Sequence, residues 1–209
     1  LAMVEAFDTR KTVVQILHGD HDYYYDLAVR HQGAIYVFVT YGRVMQRTLQ
    51  ARLPHRAADV HFMPYGVAPA STVRQRADGP LRLFVAGRIE HGQKGVFDLP
   101  MIDDALVSRG VDARWTVVGG GPDEAELRRR WTSPRVTFVG TVPRGEVLTR
   151  AAAHDVFVLP TRYEGVPVAL LEAMSVGLVP VASRVESGVG EVVEDGQTGL
   201  LAQIGRAHV

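Results

Sequence analysis

Tyr163-Glu164-Gly165-Val166-Pro167-Val168-Ala169-Leu170-Leu171-Glu172-Ala173-Met174 is the stretch from which the rest of the chain can be read. Two glutamates stand eight positions apart, with a glycine, a proline and an apolar run of good helix formers between them. The pattern predicts a helix over 167–176, stopped by Gly177, so Glu164 precedes the helix and Glu172 lies inside it. The N–H groups of Gly165 and Val166 can then turn toward an anion, and the helix dipole adds about half a positive charge there. A carboxylate on each side can accept hydroxyls through charge-assisted bonds, about twice as strong as neutral ones. A sugar joined to a nucleoside diphosphate carries an anion in its middle and hydroxyls at both ends. Taken singly, Glu164 reads equally well as a helix cap and Glu172 as a surface residue.

Outward from this stretch the sequence alternates. Apolar runs at 81–86, 113–118, 136–139, 156–159, 179–182 and 199–202 predict six strands. Helical spacing over 96–108, 123–131 and 143–153 fills the gaps between the earlier ones. Near-continuous apolar strands separated by helices predict a parallel α/β sheet covered on both faces. Residues 1–66 repeat the alternation, with strands expected at 12–17, 35–39 and 60–63 and a helix over 40–53. The Pro- and Gly-rich stretch 67–80 reads as a linker between this partial domain and a second one over 81–202.

In open α/β sheets, ligands bind beyond the carboxyl ends of the strands. After the strand at 81–86 come Gly87-Arg88 and then Gly92-Gln93-Lys94-Gly95. Arg88 can fork onto two phosphate oxygens and Lys94 adds a point charge. After 113–118 comes Gly119-Gly120-Gly121-Pro122, where glycine permits close backbone approach and proline suits a helix start. The same residues also suit a tight turn, and they lack the G-x-G-x-x-G spacing of a nicotinamide site.

Composition narrows the function. Lys plus Arg equal Asp plus Glu at 23 each, so no basic footprint points to nucleic acid or an anionic membrane. The absence of cysteine excludes disulfides and thiolate metal sites. The apolar content of 46% is enough for a sizeable core, yet no run of about 18 apolar residues could span a bilayer.

As a set, these residues resemble group 1 (family 4) glycosyltransferases. The family's Glu-x7-Glu motif matches Glu164 to Glu172, and its first-loop cations match Arg88 and Lys94. Its Gly-x-Gly-Pro turn matches 119–122, and Phe138-Val139-Gly140 follows its third-strand pattern. Ser187-Gly188-Val189-Gly190-Glu191-Val192-Val193 and Asp195-Gly196-Gln197-Thr198-Gly199-Leu200 follow its closing signatures. The resemblance implies the GT-B fold, two Rossmann-like domains facing a cleft, with the first truncated here. It implies retaining, metal-independent transfer of a sugar from a UDP- or GDP-linked donor to a glycan, lipid or small-molecule acceptor. No further cofactor is implied. The site residues it carries over are Arg88, Lys94, Gly119, Gly121, Gly165, Val166, Leu171 and Glu172 for the donor, with Glu164 and His18 as catalytic groups. His18 enters because Val14-Gln15-Ile16-Leu17-His18-Gly19 resembles the strand that delivers a histidine to the donor sugar. A satisfied histidine at a strand end is the plainer reading of the same residue. Alternatives are a nucleotide-sugar epimerase of the same fold and a non-catalytic nucleotide-sugar-binding fragment. The resemblance places the protein in the cytoplasm, with peripheral contact to the inner membrane face through regions outside this chain.

Asp20-His21-Asp22 has the spacing of a metal-binding Asp-x-Asp but reads as coincidence, and Tyr23-Tyr24-Tyr25 as a half-buried helix start. Residues 1–4 lack a signal peptide and read as the middle of a longer chain. The tail from Gln203 to Val209 back-translates to the start of a common sequencing adapter, so the natural sequence is expected to stop near Ala202.

Overall fold

The computed structural model describes residues 12–75, 78–186 and 188–203. The expectations for residues 1–4, for Ser187 and for the tail beyond Gln203 lie outside them. The chain divides into two compact units. The first comprises Leu1–Gly66 together with two later returns of the chain, Tyr163–Pro167 and Glu186–Glu191. The second holds Val67–Arg162, Val168–Val185 and Val192–Val209.

The first unit is built on a parallel sheet of three strands in the order β1 (Val14–Leu17), β2 (Val37–Thr40), β3 (Val60–Phe62). Helix α1 (Asp22–Arg30) follows β1 and α2 (Arg43–Arg52) follows β2. Tyr25 and Ala28 from α1 and Met45 and Leu49 from α2 pack with Leu17, Phe38 and Val60 of the strands into one core. These apolar positions recur at the three- and four-residue spacing that puts them on one helix face.

The second unit carries a six-stranded sheet in the order β6-β5-β4-β7-β8-β9, all pairs parallel. The strands are β4 (Leu81–Ala86), β5 (Ala113–Val118), β6 (Val136–Gly140), β7 (Val156–Leu159), β8 (Val179–Ser183) and β9 (Leu200–Ala202). The helices are α3 (His91–Lys94), α4 (Leu99–Ser108), α5 (Glu124–Arg130), α6 (Arg144–Ala151), α7 (Val168–Ser175) and α8 (Val189–Val192), the last beginning within the return 186–191. The sequence reading anticipated neither α3 nor α8. His91-Gly92-Gln93-Lys94 had the look of a glycine-rich loop, but the Glu90 side chain accepts the Gln93 N–H at 2.9 Å and caps it into a helical turn. Helix α4 begins at Leu99, preceded by a 3₁₀ turn over Val96–Asp98, where a single helix over 96–108 was expected.

One buried carboxylate organises this unit. Asp103 of α4 is 1% exposed and accepts the indole N–H of Trp115 at 2.9 Å and of Trp131 at 3.1 Å. Arg135 adds two bonds at 3.2 and 3.0 Å. Burial acts to raise the Asp103 pKa, but these hydrogen bonds outweigh it and hold the group below the ordinary carboxylate range. At the start of β4, Asp155 accepts from Arg82 Nε at 2.9 Å and from its backbone N–H at 3.0 Å, and its pKa is lowered chiefly by Arg82. Among the described residues, no helix is long and apolar enough to cross a membrane.

Candidate functional site

The strand order of the larger sheet reverses between β4 and β7, with β5 and β6 to one side and β8 and β9 to the other. A crevice opens beyond the carboxyl ends of the strands at such a switch. Arg88 and Lys94 both border a small cavity there, together with Gly87 after β4 and Pro160 after β7. Lys94 ends α3, which is tied to the segment after β7: Arg162 N–H and the Thr161 hydroxyl both donate to Gln93 O, at 2.8 and 2.9 Å. Arg162 itself lies 3.5 Å from Asp98 and 3.2 Å from His91. It is a third cation at the switch point that the sequence reading did not single out.

Arg88 also borders a second, larger cavity of about 310 Å³. Gly119, Gly120, Thr141, Val142, Ala169 and Glu172 contribute to its wall. Gly119 and Gly121 were expected to let backbone approach a ligand. The structure gives them a different partner. A Cβ on Gly119, whose φ is +129°, would lie 1.9 Å from Gly87 O, and one on Gly121 would lie 2.2 Å from Ile89 O. The loops after β4 and β5 therefore run against each other, joined by Gly87 N–H to Val118 O and Ile89 N–H to Gly120 O, each at 3.0 Å. Gly119 and Gly120 line the cavity, while Gly121 serves the loop-to-loop contact. On the far side, the register of β5 and β6 shifts between Val117 and Val118, a bulge that bends the chain at Gly140 toward Thr141 and Val142.

Glu172 enters the cavity wall from α7, along with Ala169. Leu171, its neighbour on the helix, is half-buried. Glu172 has a partner that the sequence reading missed. Arg144, at the start of α6, donates from Nε to its Oε1 at 2.8 Å, and a terminal nitrogen lies 2.6 Å from the same oxygen.

The remaining candidates belong to the first unit. His18 follows β1 directly and is exposed, its ring 5.5 Å from that of Tyr41, which follows β2. Glu164 is 4% exposed, a buried acid carried on the return 163–167. That return is held by backbone packing. A Cβ on Gly165 would lie 2.4 Å from His18 O, and one on Gly188 would lie 1.8 Å from Gly165 O. Gly188 N–H also donates to Glu164 O at 3.3 Å. Glu191 closes the arrangement. Its two oxygens accept Arg43 N–H and Val44 N–H at 2.7 Å each, capping α2, whose own N-cap residue Gly42 has no side chain to do so. The carboxylates of the Asp-x-Asp turn to separate partners, Asp20 to the Tyr25 hydroxyl and Asp22 to Arg52. Burial first, then the charges of Glu191 and Asp22, raise the Asp20 pKa against the lowering effect of the Tyr25 bond.

The family description "Glycosyl transferases group 1" matches residues 80–208, more than half of the chain. The chain belongs to the group 1 glycosyltransferases. It is 31% identical over 191 residues to alpha-D-kanosaminyltransferase of Streptomyces kanamyceticus, spanning 83% of this chain and 48% of that one. It is 33% identical over 165 residues to the amylovoran biosynthesis glycosyltransferase AmsK of Erwinia amylovora, spanning 73% of this chain and 40% of that one. It thus spans less than half the length of either relative. Among solved structures, a TarM variant of S. aureus crystallised with fondaparinux, alpha-GlcNAc-glycerol and UDP superposes with a TM-score of 0.81 at 13% identity, covering 97% of this chain and 43% of that one. Anabaena HepE in complex with UDP-glucose gives 0.74 at 18% identity, covering 94% and 59%. The group 1 glycosyltransferase resemblance read from the loops is thereby shown, as is the GT-B fold.

Proposed function

We propose that the second unit binds a nucleotide-diphosphate sugar, and that the full-length protein transfers the sugar to an acceptor hydroxyl with retention at the anomeric carbon. The observation that carries this is the 310 Å³ cavity at the strand-order switch, which has Arg88 at one side and Glu172 at another. In this reading Arg88 and Lys94 neutralise the diphosphate, and Glu172 accepts the ribose hydroxyls. Thr141 and Val142 border the base, and Gly165 and Val166 offer N–H groups to the leaving diphosphate. Glu164 and His18 take the sugar-facing roles that the family resemblance implies. Stabilising the leaving group with fixed cations requires no metal and no covalent nucleophile. The donor is UDP- or GDP-linked, in keeping with the UDP and UDP-glucose bound to the neighbouring structures. The same reading assigns the full-length protein to the cytoplasm, working at the inner membrane face on a glycan, lipid or small-molecule acceptor.

The test is incubation of the full-length gene product with labelled nucleotide sugars and candidate acceptors. Release of nucleoside diphosphate that depends on acceptor is the expected result. Conversion of the sugar without release would replace transfer by epimerisation, and binding without turnover would leave a binding module.

A further inference from the structure

We propose that Arg144 is a positioning residue for the donor nucleotide, acting through Glu172 on its ribose. The inference rests on the reading of the cavity given above. Arg144 is the first residue of α6, where a cation opposes the helix dipole. The nearest acid on its own helix, Glu146, accepts from Arg150 Nε one turn on, at 2.8 Å. The guanidinium reaches across to α7 instead. Its Nε donates to Glu172 Oε1 at 2.8 Å, and a terminal nitrogen lies 2.6 Å from the same oxygen. The pair is asymmetric: the Arg144 side chain is 69% exposed and that of Glu172 12%. The arginine therefore forms the solvent side of the pair and the carboxylate the cavity side. Thr141 and Val142, just ahead of Arg144 in the same connection, line that cavity together with Glu172.

A glutamate has three rotatable side-chain bonds, and a ligand that meets it unrestrained must order it on binding. Arg144 holds the carboxylate in place beforehand through Oε1, so that it stands ready to accept a ribose hydroxyl. A residue that breaks a local helix rule and finds its partner at a site is a mark of functional rather than structural placement. Arg144 thus sets how strongly the ribose contributes to donor affinity without touching the nucleotide itself.

The test is calorimetric titration of the full-length protein with UDP and with 2′,3′-dideoxy-UDP, for wild type, Arg144→Ala and Arg144→Lys. Arg144→Ala is expected to weaken UDP about tenfold, the scale of ordering one side chain. It should leave the dideoxy analogue within about twofold, because that ligand never engages Glu172. Arg144→Lys should recover part of the loss, restoring charge without the fork. Equal weakening of both ligands by Arg144→Ala would overturn the proposal, because the arginine would then act on phosphate, base or fold. Unchanged UDP affinity would overturn it too. Failure of the underlying reading looks different: wild-type protein would bind UDP and its dideoxy analogue equally, or bind neither.

Discussion

The two units share a parallel sheet with candidate residues in the loops at the carboxyl ends, yet they hold those residues by opposite means. In the second unit the work is done by charge. Arg88, Lys94 and Arg162 gather at the strand-order switch, and Glu172 is fixed by an ion pair. In the first unit it is done by shape. Gly165, the neighbour of Glu164, lies directly on His18 O, and Gly188 lies directly on Gly165 O. Charge placed on exposed, long side chains can follow a flexible anion. Backbone contact at this spacing holds a small group with little freedom.

Five measurements can break or sharpen this contrast. The largest effect on ligand binding is expected from removing the cations. Arg88→Ala and Lys94→Ala should each cost about 1.5–3 kcal/mol of diphosphate affinity, read by titration with UDP, as for a hydrogen bond to a charged group. Unchanged affinity in both would remove charge from the account of the second unit. Next comes Asp103→Ala, which strips an acceptor from two buried indoles and Arg135 and should lower the stability of the second unit by about 3 kcal/mol in urea unfolding. The same carboxyl gives a pH signature. Its folded pKa is depressed, as is that of Asp155, so their stabilisation is complete above the ordinary value of about 4 and is lost as pH falls through the folded values. A melting temperature that stays flat down to pH 2 would contradict this.

Gly165→Ala tests shape in the first unit. The added methyl meets a carbonyl and should cost about 1–3 kcal/mol by overpacking. It should lower turnover and weaken UDP less than Arg88→Ala does, because the Gly165 N–H is kept. A loss of UDP affinity as large as that from Arg88→Ala would mean the two units do not divide the work this way. The smallest effect is assigned to Glu191→Ala, which uncaps α2 and should lower stability by about 1 kcal/mol in thermal unfolding, with Glu191→Gln recovering part of it.

The same contrast explains what could be read in the sequence. Strands β4, β5 and β7 were legible to the residue because each is an apolar run closed by Gly or Pro. The cationic loops were legible because Arg88 and Lys94 flank glycines at strand ends. Helix α3 was not, since its glycine argues for a loop and only the Glu90 cap overrides it. Arg144 left one signal, a cation at a helix start, but its partner lies 28 residues away and no local pattern names it. Glu191 was visible as part of a family signature, while its role as the cap of a helix 148 residues earlier depends on tertiary contact alone. The glycines after β5 were recognised for the right freedom, but their contact with the loop after β4 was not foreseen. A sequence shows that backbone will come close to something, but not to what.

The three-piece make-up of the first unit has a practical side. A polypeptide cut after Gly66 would keep all three strands of the smaller sheet, along with both helices that pack on it. It would lose Glu164 and leave the Arg43 and Val44 amides to water. Such a piece could fold and still be chemically mute, so mixing separately produced halves asks the later segment to dock two short returns in trans. A gain in the thermal stability of the first piece on mixing would then report assembly of those returns, and not the folding of either half.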